Sequence, residues 1–418
     1  MNRTTQSDPG RLAVIWPRFG PYHVARLDAA GRLLAEYGVT LYGLEVVRVD
    51  PEYPWPATAG SGAFQRMTLL EDGSYAELAR RRIQEAVGQA LERLRPAAVA
   101  IPGWTFAEAR AALRWCAQAG SSAILMSDSK RDDFVRVPHK EFLKSQIVSN
   151  FGAALVGGQP HSEYAADMGI PADRVFVGYD VVDNDSFRRG AEEARASAAE
   201  WRQRLGLPER YFLACCRFVP KKNLARLLEA YGLYRDTAAE PWGLVVCGDG
   251  PLAAGLKGRA AAMGLSDICW PGFLRPEDLA RFYGLASAFV LPSTQDQWGL
   301  VVNEAMASGL PVLVSRTAGC RYDLVEDGRN GWLLDPFDPR QMAERMVRVA
   351  GLSEDGRRRM SEASARIIAE WGPERFARGL WSAVQAARSG PHRRTPLFQR
   401  LLVPVLTHPL LCPRKHRP

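Results

Sequence analysis

Short apolar runs alternate with amphipathic stretches along most of the chain, and the alternation occurs in two cycles. In the first, residues 12–16 (Leu-Ala-Val-Ile-Trp), 41–49, 97–101, 122–126, 153–156 and 175–177 have the length and apolar content of strands. Helical spacing fills the intervals, through Glu36, over 74–94, over 107–119 and from about Ser162. A second cycle restarts at 211–216 and continues through 243–247, 268–270, 288–291 and 311–315. Strands separated by helices predict parallel sheets built from βαβ units, so the expected class is α/β with two Rossmann-like domains facing a cleft.

The pattern also suggests boundaries. Residues 1–182 form an N-terminal domain, 183–206 a charged interdomain connector, and 207–370 a C-terminal domain. An amphipathic helix over 371–390 (Trp371, Phe376, Leu380, Trp381, Val384) comes next, and 391–418 form a basic apolar tail. At 418 residues the chain is long enough for two cores.

Composition narrows the setting. The seven cysteines include the adjacent pair Cys215 and Cys216 and otherwise stand singly, so they fit no disulfide or zinc framework and imply a cytoplasmic protein. Residues 1–10 lack the apolar centre of a signal peptide, and no apolar run approaches the roughly 20 residues that span a bilayer. The net charge of +8 is concentrated at the end: Arg393, Arg394, Arg400, Arg414, Lys415 and Arg417 surround apolar islands with no acid among them. Such a tail suits an anionic membrane surface and peripheral attachment at the inner face. Nucleic acid is not expected, since the tail matches no recognition fold.

Candidate chemistry gathers where predicted strands of the second cycle end. Arg217, Lys221 and Lys222 follow the run 211–216, and cations there can clamp a diphosphate. Gly248 and Gly272, the latter beside Phe273, follow two more strands. After the run 288–291 come Asp296 and Glu304, on either side of Gly299, which opens a helix with Leu300 and Val301 in its first turn. In the first cycle Tyr22, His23 and Arg26 occupy the first strand-to-helix turn, and Asp128 follows the run 122–126. His139 and His161 stand alone and are read as structural. Asp183-Asn184-Asp185 has the form of a metal-binding Asp-x-Asp but falls in the predicted connector, so no metal is expected.

The runs Arg217–Asn223, Val245–Leu252, Pro271–Phe273, Leu291–Ser293 and Gln295–Ser315, in this order, resemble the donor-binding domain of retaining family 4 glycosyltransferases (glycosyl transferases group 1) with the GT-B fold. The resemblance implies a C-terminal helix crossing back to the first domain and a nucleotide diphosphate sugar, usually a uridine one, as co-substrate, with no cofactor. It puts Arg217 and Lys222 on the donor diphosphate and the Gly299, Leu300 and Val301 amides beside it. Glu304 falls on the ribose, Phe273 with Gly272 near the base, and Gly248 where backbone nears the nucleotide. The family's Glu-x7-Glu appears here as Asp296-x7-Glu304, with Asp296 at the sugar-contacting position. Tyr22, His23, Arg26 and Asp128 fall on the acceptor or sugar side. The acceptor would be a glycan, a lipid-linked molecule or a small molecule, as in polysaccharide, glycolipid or natural-product assembly. A nucleotide-sugar epimerase of the same fold and a non-catalytic nucleotide-sugar or membrane-surface binding protein are the other readings of the same residues.

Overall fold

Apolar runs buried on both faces need helices on both sides of the sheet they form, and both cycles fold this way. The computed structural model describes residues 8–48, 60–71 and 74–389; the tail 391–418 lies outside them. The chain divides into two compact units. One runs to Val181 and takes the chain back from Pro373, and the other is Val182–Gly372.

The first unit holds a parallel sheet of β1 (Asp8–Trp16), β2 (Thr40–Val47), β3 (Gln65–Leu70), β4 (Pro96–Pro102), β5 (Ser122–Ser127), β6 (Ala153–Val156) and β7 (Val175–Val177), in the order β3-β2-β1-β4-β5-β6-β7. Strand order reverses between β1 and β4. Every side chain of β4 is buried, as a central strand covered on both faces requires. The apolar pattern does not mark β3, an edge strand with polar Gln65, Arg66 and Thr68. It is held by Glu45 of β2, a fully buried carboxylate that accepts from Arg66 Nε at 2.8 Å, Thr68 Oγ1 at 2.8 Å and Phe19 N at 3.1 Å. The helix expected from residue 74 begins later, as Arg80–Leu94.

The second unit holds β8 (Tyr211–Cys215), β9 (Gly243–Cys247), β10 (Ile268–Gly272), β11 (Ala288–Leu291), β12 (Val312–Ser315) and β13 (Gly331–Leu334), in the order β10-β9-β8-β11-β12-β13. All pairings are parallel, and the order reverses between β8 and β11.

The segment expected as a connector is folded into this unit. Asp183 caps the helix Asn184–Ala196 by accepting from Ser186 N at 3.0 Å, and Ala198–Leu205 follows as a second helix. The first of these buries Phe187, Ala191 and Ala194. The Phe187 ring meets Tyr283 edge-on at 5.9 Å, and the approach is close enough that a Cβ on Gly284 would lie 2.7 Å from Ala191 Cα. Period-3.6 apolar spacing within the charged stretch was the signal of a packed helix rather than a linker.

The helix Pro373–Ser389 returns to the first unit. Its apolar side, Phe376, Leu380, Ala383 and Val384, is buried against β5, β6, β7 and the helix Pro21–Glu36. Full burial of Phe376 and Leu380 contributes roughly 2–3 kcal/mol each. No helix among the described residues is long and apolar enough to cross a membrane.

Candidate active site

Open parallel sheets bind ligands beyond the carboxyl ends of their strands, at the point where strand order reverses. In the second unit that point lies between β8 and β11, and the two segments leaving those strands meet there. After β8 the chain passes exposed Arg217 and turns through Pro220–Lys222. Asn223 then takes a left-handed backbone (φ 60°), and its Nδ2 donates to the carbonyls of Pro292 at 2.9 Å and Pro336 at 2.7 Å. The turn is thereby fastened to the end of β11, and Thr294 N donates to Lys221 O at 2.9 Å. Asparagine tolerates this conformation better than most residues.

Lys222 Nζ lies 2.5 Å from Asp296 Oδ2. Burial disfavours the lysine's charge, but the Asp296 carboxylate and its hydrogen bond outweigh it and hold the ammonium above its ordinary pKa. The same Oδ2 accepts from Ser293 Oγ at 3.2 Å. Burial pushes the Cys216 thiol up to about 12, Lys222 opposing it, so the sulfur beside this pair stays protonated.

Backbone geometry shapes the rest of the strand ends. Gly248 follows β9 with φ 125°, and a Cβ there would lie 1.9 Å from Cys216 O, so only glycine lets the β8 and β9 ends come this close. Gly272 ends β10, its carbonyl accepts from Gly248 N at 2.8 Å, and Phe273 beyond it is exposed. Gly299, at φ 106°, opens the helix Leu300–Ala307. The first-turn amides of Leu300 and Val301 present the positive end of that helix. Glu304, one turn further and 3% exposed, accepts from Tyr283 Oη at 2.8 Å. Arg217, Lys222, Gly248, Gly272, Phe273, Asp296, Gly299, Leu300, Val301 and Glu304 thus all sit on carboxyl-end segments of one sheet or the helix that follows them. Ser293, Asn223 and Tyr283 were not singled out from the sequence, because their roles are contacts to residues 3 to 113 positions away.

Residues 197–366 match the family model of glycosyl transferases group 1. The group 1 segment lies inside the second unit and contains every candidate named there. Among curated relatives, the chain is 30% identical over 203 residues to alpha-D-kanosaminyltransferase of Streptomyces kanamyceticus, covering 48% of this chain and 51% of that protein. It is 32% identical over 250 residues to D-inositol 3-phosphate glycosyltransferase of Streptomyces scabiei, covering 57% and 53%. The chain spans about half the length of these relatives. Solved structures match over both units. A glycosyltransferase from Rickettsia africae superposes with a TM-score of 0.68 at 12% identity, covering 92% of this chain and all of that one (100%). Anabaena HepE, solved with UDP and glucose, gives 0.66 at 15% identity, covering 90% and 99%. The likeness establishes the fold, two Rossmann-like units of the GT-B class.

The first unit's candidates make contacts within their own unit. Arg26 is 3% exposed, and its Nε and terminal nitrogen donate to Val181 O at 3.0 and 2.9 Å, with the Tyr179 ring 5.2 Å from its guanidinium carbon. It braces the Tyr179–Val181 strand exit. His23 accepts from Gly20 N through Nδ1 at 3.0 Å and lies against Trp16 at 4.6 Å between ring centroids. Burial, then the charges of Arg26 and Arg18, depress it to about 3, which keeps it neutral and in its capping role. Tyr22 is half-buried in the same turn, and Asp128 is half-buried after β5. His161 is fully buried and caps its helix through Gly158 N at 3.1 Å, whereas His139 is exposed. Asp185 pairs with Arg188 at 3.2 Å while Asp183 caps, so both acids of the Asp-x-Asp tripeptide serve their own helix.

Proposed function

We propose that the chain is a metal-independent retaining glycosyltransferase that moves a sugar from a uridine diphosphate sugar to an acceptor hydroxyl. The observation that carries this reading is the Lys222–Asp296 pair at the strand reversal of the group 1 segment, with Arg217, the Gly299 helix start and Glu304 on the same sheet end. Breaking the bond between the anomeric carbon and the diphosphate leaves an oxocarbenium-like sugar and a growing negative charge on the departing oxygens. Arg217, Lys222 and the Leu300 and Val301 amides are suited to meet that charge, and preorganised charge of this kind is the largest single contribution to such steps. Glu304, held by Tyr283, is suited to accept from ribose hydroxyls. In retention, the acceptor oxygen bonds to the anomeric carbon on the face the diphosphate leaves, and its proton passes to a diphosphate oxygen. No protein nucleophile is needed.

A uridine donor is supported by the UDP bound to HepE. The D-inositol 3-phosphate glycosyltransferase relative favours a small hydroxylated acceptor; the basic tail favours one at an anionic membrane. The test is Lys222→Ala assayed with a panel of uridine and guanosine diphosphate sugars. Turnover is expected to fall by about two orders of magnitude or more with circular dichroism showing the fold intact, because the cation that meets the departing diphosphate is lost. Unchanged turnover would overturn the assignment, and conversion of the donor without any acceptor would make the protein an epimerase.

A further inference from the structure

We infer that Asp296 is a positioning residue for the donor diphosphate, acting through Lys222, rather than a contact for the donor sugar. The inference rests on the donor-site reading above and assigns a different partner to one of its residues. Resemblance puts the sugar at position 296, where the family has a glutamate. The geometry here points elsewhere. The Asp296 carboxylate is engaged by Lys222 Nζ at 2.5 Å, and the same oxygen accepts from Ser293 Oγ at 3.2 Å.

Both ends of this contact are held by the fold. Ser293 is fully buried, and its carbonyl accepts from Thr317 Oγ1 at 2.8 Å, itself 2.9 Å from Ser315 Oγ at the end of β12. The Asp296 backbone is bridged to Ala318, and its carbonyl accepts from Gly319 N at 3.2 Å. With the backbone tied and a side chain one methylene shorter than glutamate, the carboxylate stays within reach of the lysine. On the other side, Asn223 and the Thr294–Lys221 hydrogen bond fix the turn that carries Lys222. An ammonium has three donors, so one can remain on Asp296 while the others turn to phosphate oxygens. Oriented this way, Lys222 loses less freedom when the diphosphate arrives.

Binding of UDP and of UDP-glucose, with GDP and GDP-mannose as a second pair, is measured by calorimetry on the wild type, Asp296→Asn, Lys222→Ala and the double variant. Asn keeps the shape and removes the charge. Asp296→Asn is expected to weaken the nucleoside diphosphate and its sugar by the same factor, about ten-fold, as loss of a charged hydrogen-bond partner does. In the Lys222→Ala background it is expected to add nothing, since its effect travels through the lysine. Weakening of the sugar nucleotide alone would overturn the inference in favour of a sugar contact, and so would losses that add in the double variant. A wild-type chain that binds neither diphosphate would overturn the donor reading itself, and this inference with it. Unaltered circular dichroism of Asp296→Asn secures the comparison, and Asp296→Ala repeats it should Asn fail to fold.

Discussion

Single side chains show where burial, rather than charge type, decides behaviour. Glu108 is fully buried in the first turn of the helix Ala107–Ala119, accepts from Tyr75 Oη at 2.7 Å, and its Oε1 has no hydrogen-bond partner among the described residues. Burial pushes its carboxyl from 4.5 up to about 7, against the opposing effect of Tyr75. Because the folded pKa is the higher one, the unfolded chain ionises first. The stabilisation is whole below 4.5 and is lost as pH rises through about 7, by about 3 kcal/mol in all. Glu108→Gln is therefore expected to flatten the stability profile between pH 5 and 8, and to be more stable than the wild type at the upper end, as read by urea unfolding. Identical profiles for the two proteins would show that Glu108 is not buried in this way. Nothing in the local sequence Phe-Ala-Glu-Ala-Arg distinguishes this glutamate from an exposed first-turn acid, and its partner Tyr75 lies 33 positions away.

Among elements, the helix Asn184–Ala196 changes the picture most. It packs into the second unit: Phe187 meets Tyr283, and Tyr283 holds Glu304. Phe187→Ala is expected to cost about 3–5 kcal/mol of stability and to weaken nucleotide binding, checked by thermal unfolding with and without UDP. Tyr283→Phe removes only the hydroxyl and keeps the packing, so it separates the two effects. If Phe187→Ala left stability unchanged, the segment would be a linker after all. Strand runs such as 153–156, 243–247 and 288–291 coincide with β6, β9 and β11 to the residue, because continuous apolar runs have few other uses in an α/β protein. The edge strand β3 carried no such signal, its Arg66 and Thr68 side chains being held by Glu45 of β2.

For the molecule as a whole, two parallel sheets with separate cores agree with the two cycles of the sequence, and the final helix rejoins the first unit. The chain beyond it is basic and apolar in sequence, with six cations and no acid over 391–418. Deleting these residues is expected to reduce sedimentation with anionic vesicles while leaving transfer to a water-soluble acceptor intact. Equal sedimentation of the two proteins would remove the membrane surface from the list of partners.

Periodicity and local chemistry were enough to specify the class, most strand positions, the strand ends that carry cations and glycines, and the helix start at Gly299. These are properties of neighbours in sequence: apolar runs, cation pairs after a strand, and a glycine before a helix. The partner of each polar side chain was not specified in that way. Resemblance put Asp296 at the sugar position, and pattern put Arg26 in the first strand-to-helix turn and residues 183–206 in a connector, without naming the residue that each would meet. Folding joined Asp296 to Lys222, Arg26 to Val181 O, and the supposed connector to Tyr283. Such pairings depend on which strand ends the crossovers bring together, and over separations of 74 to 155 residues no local pattern encodes them.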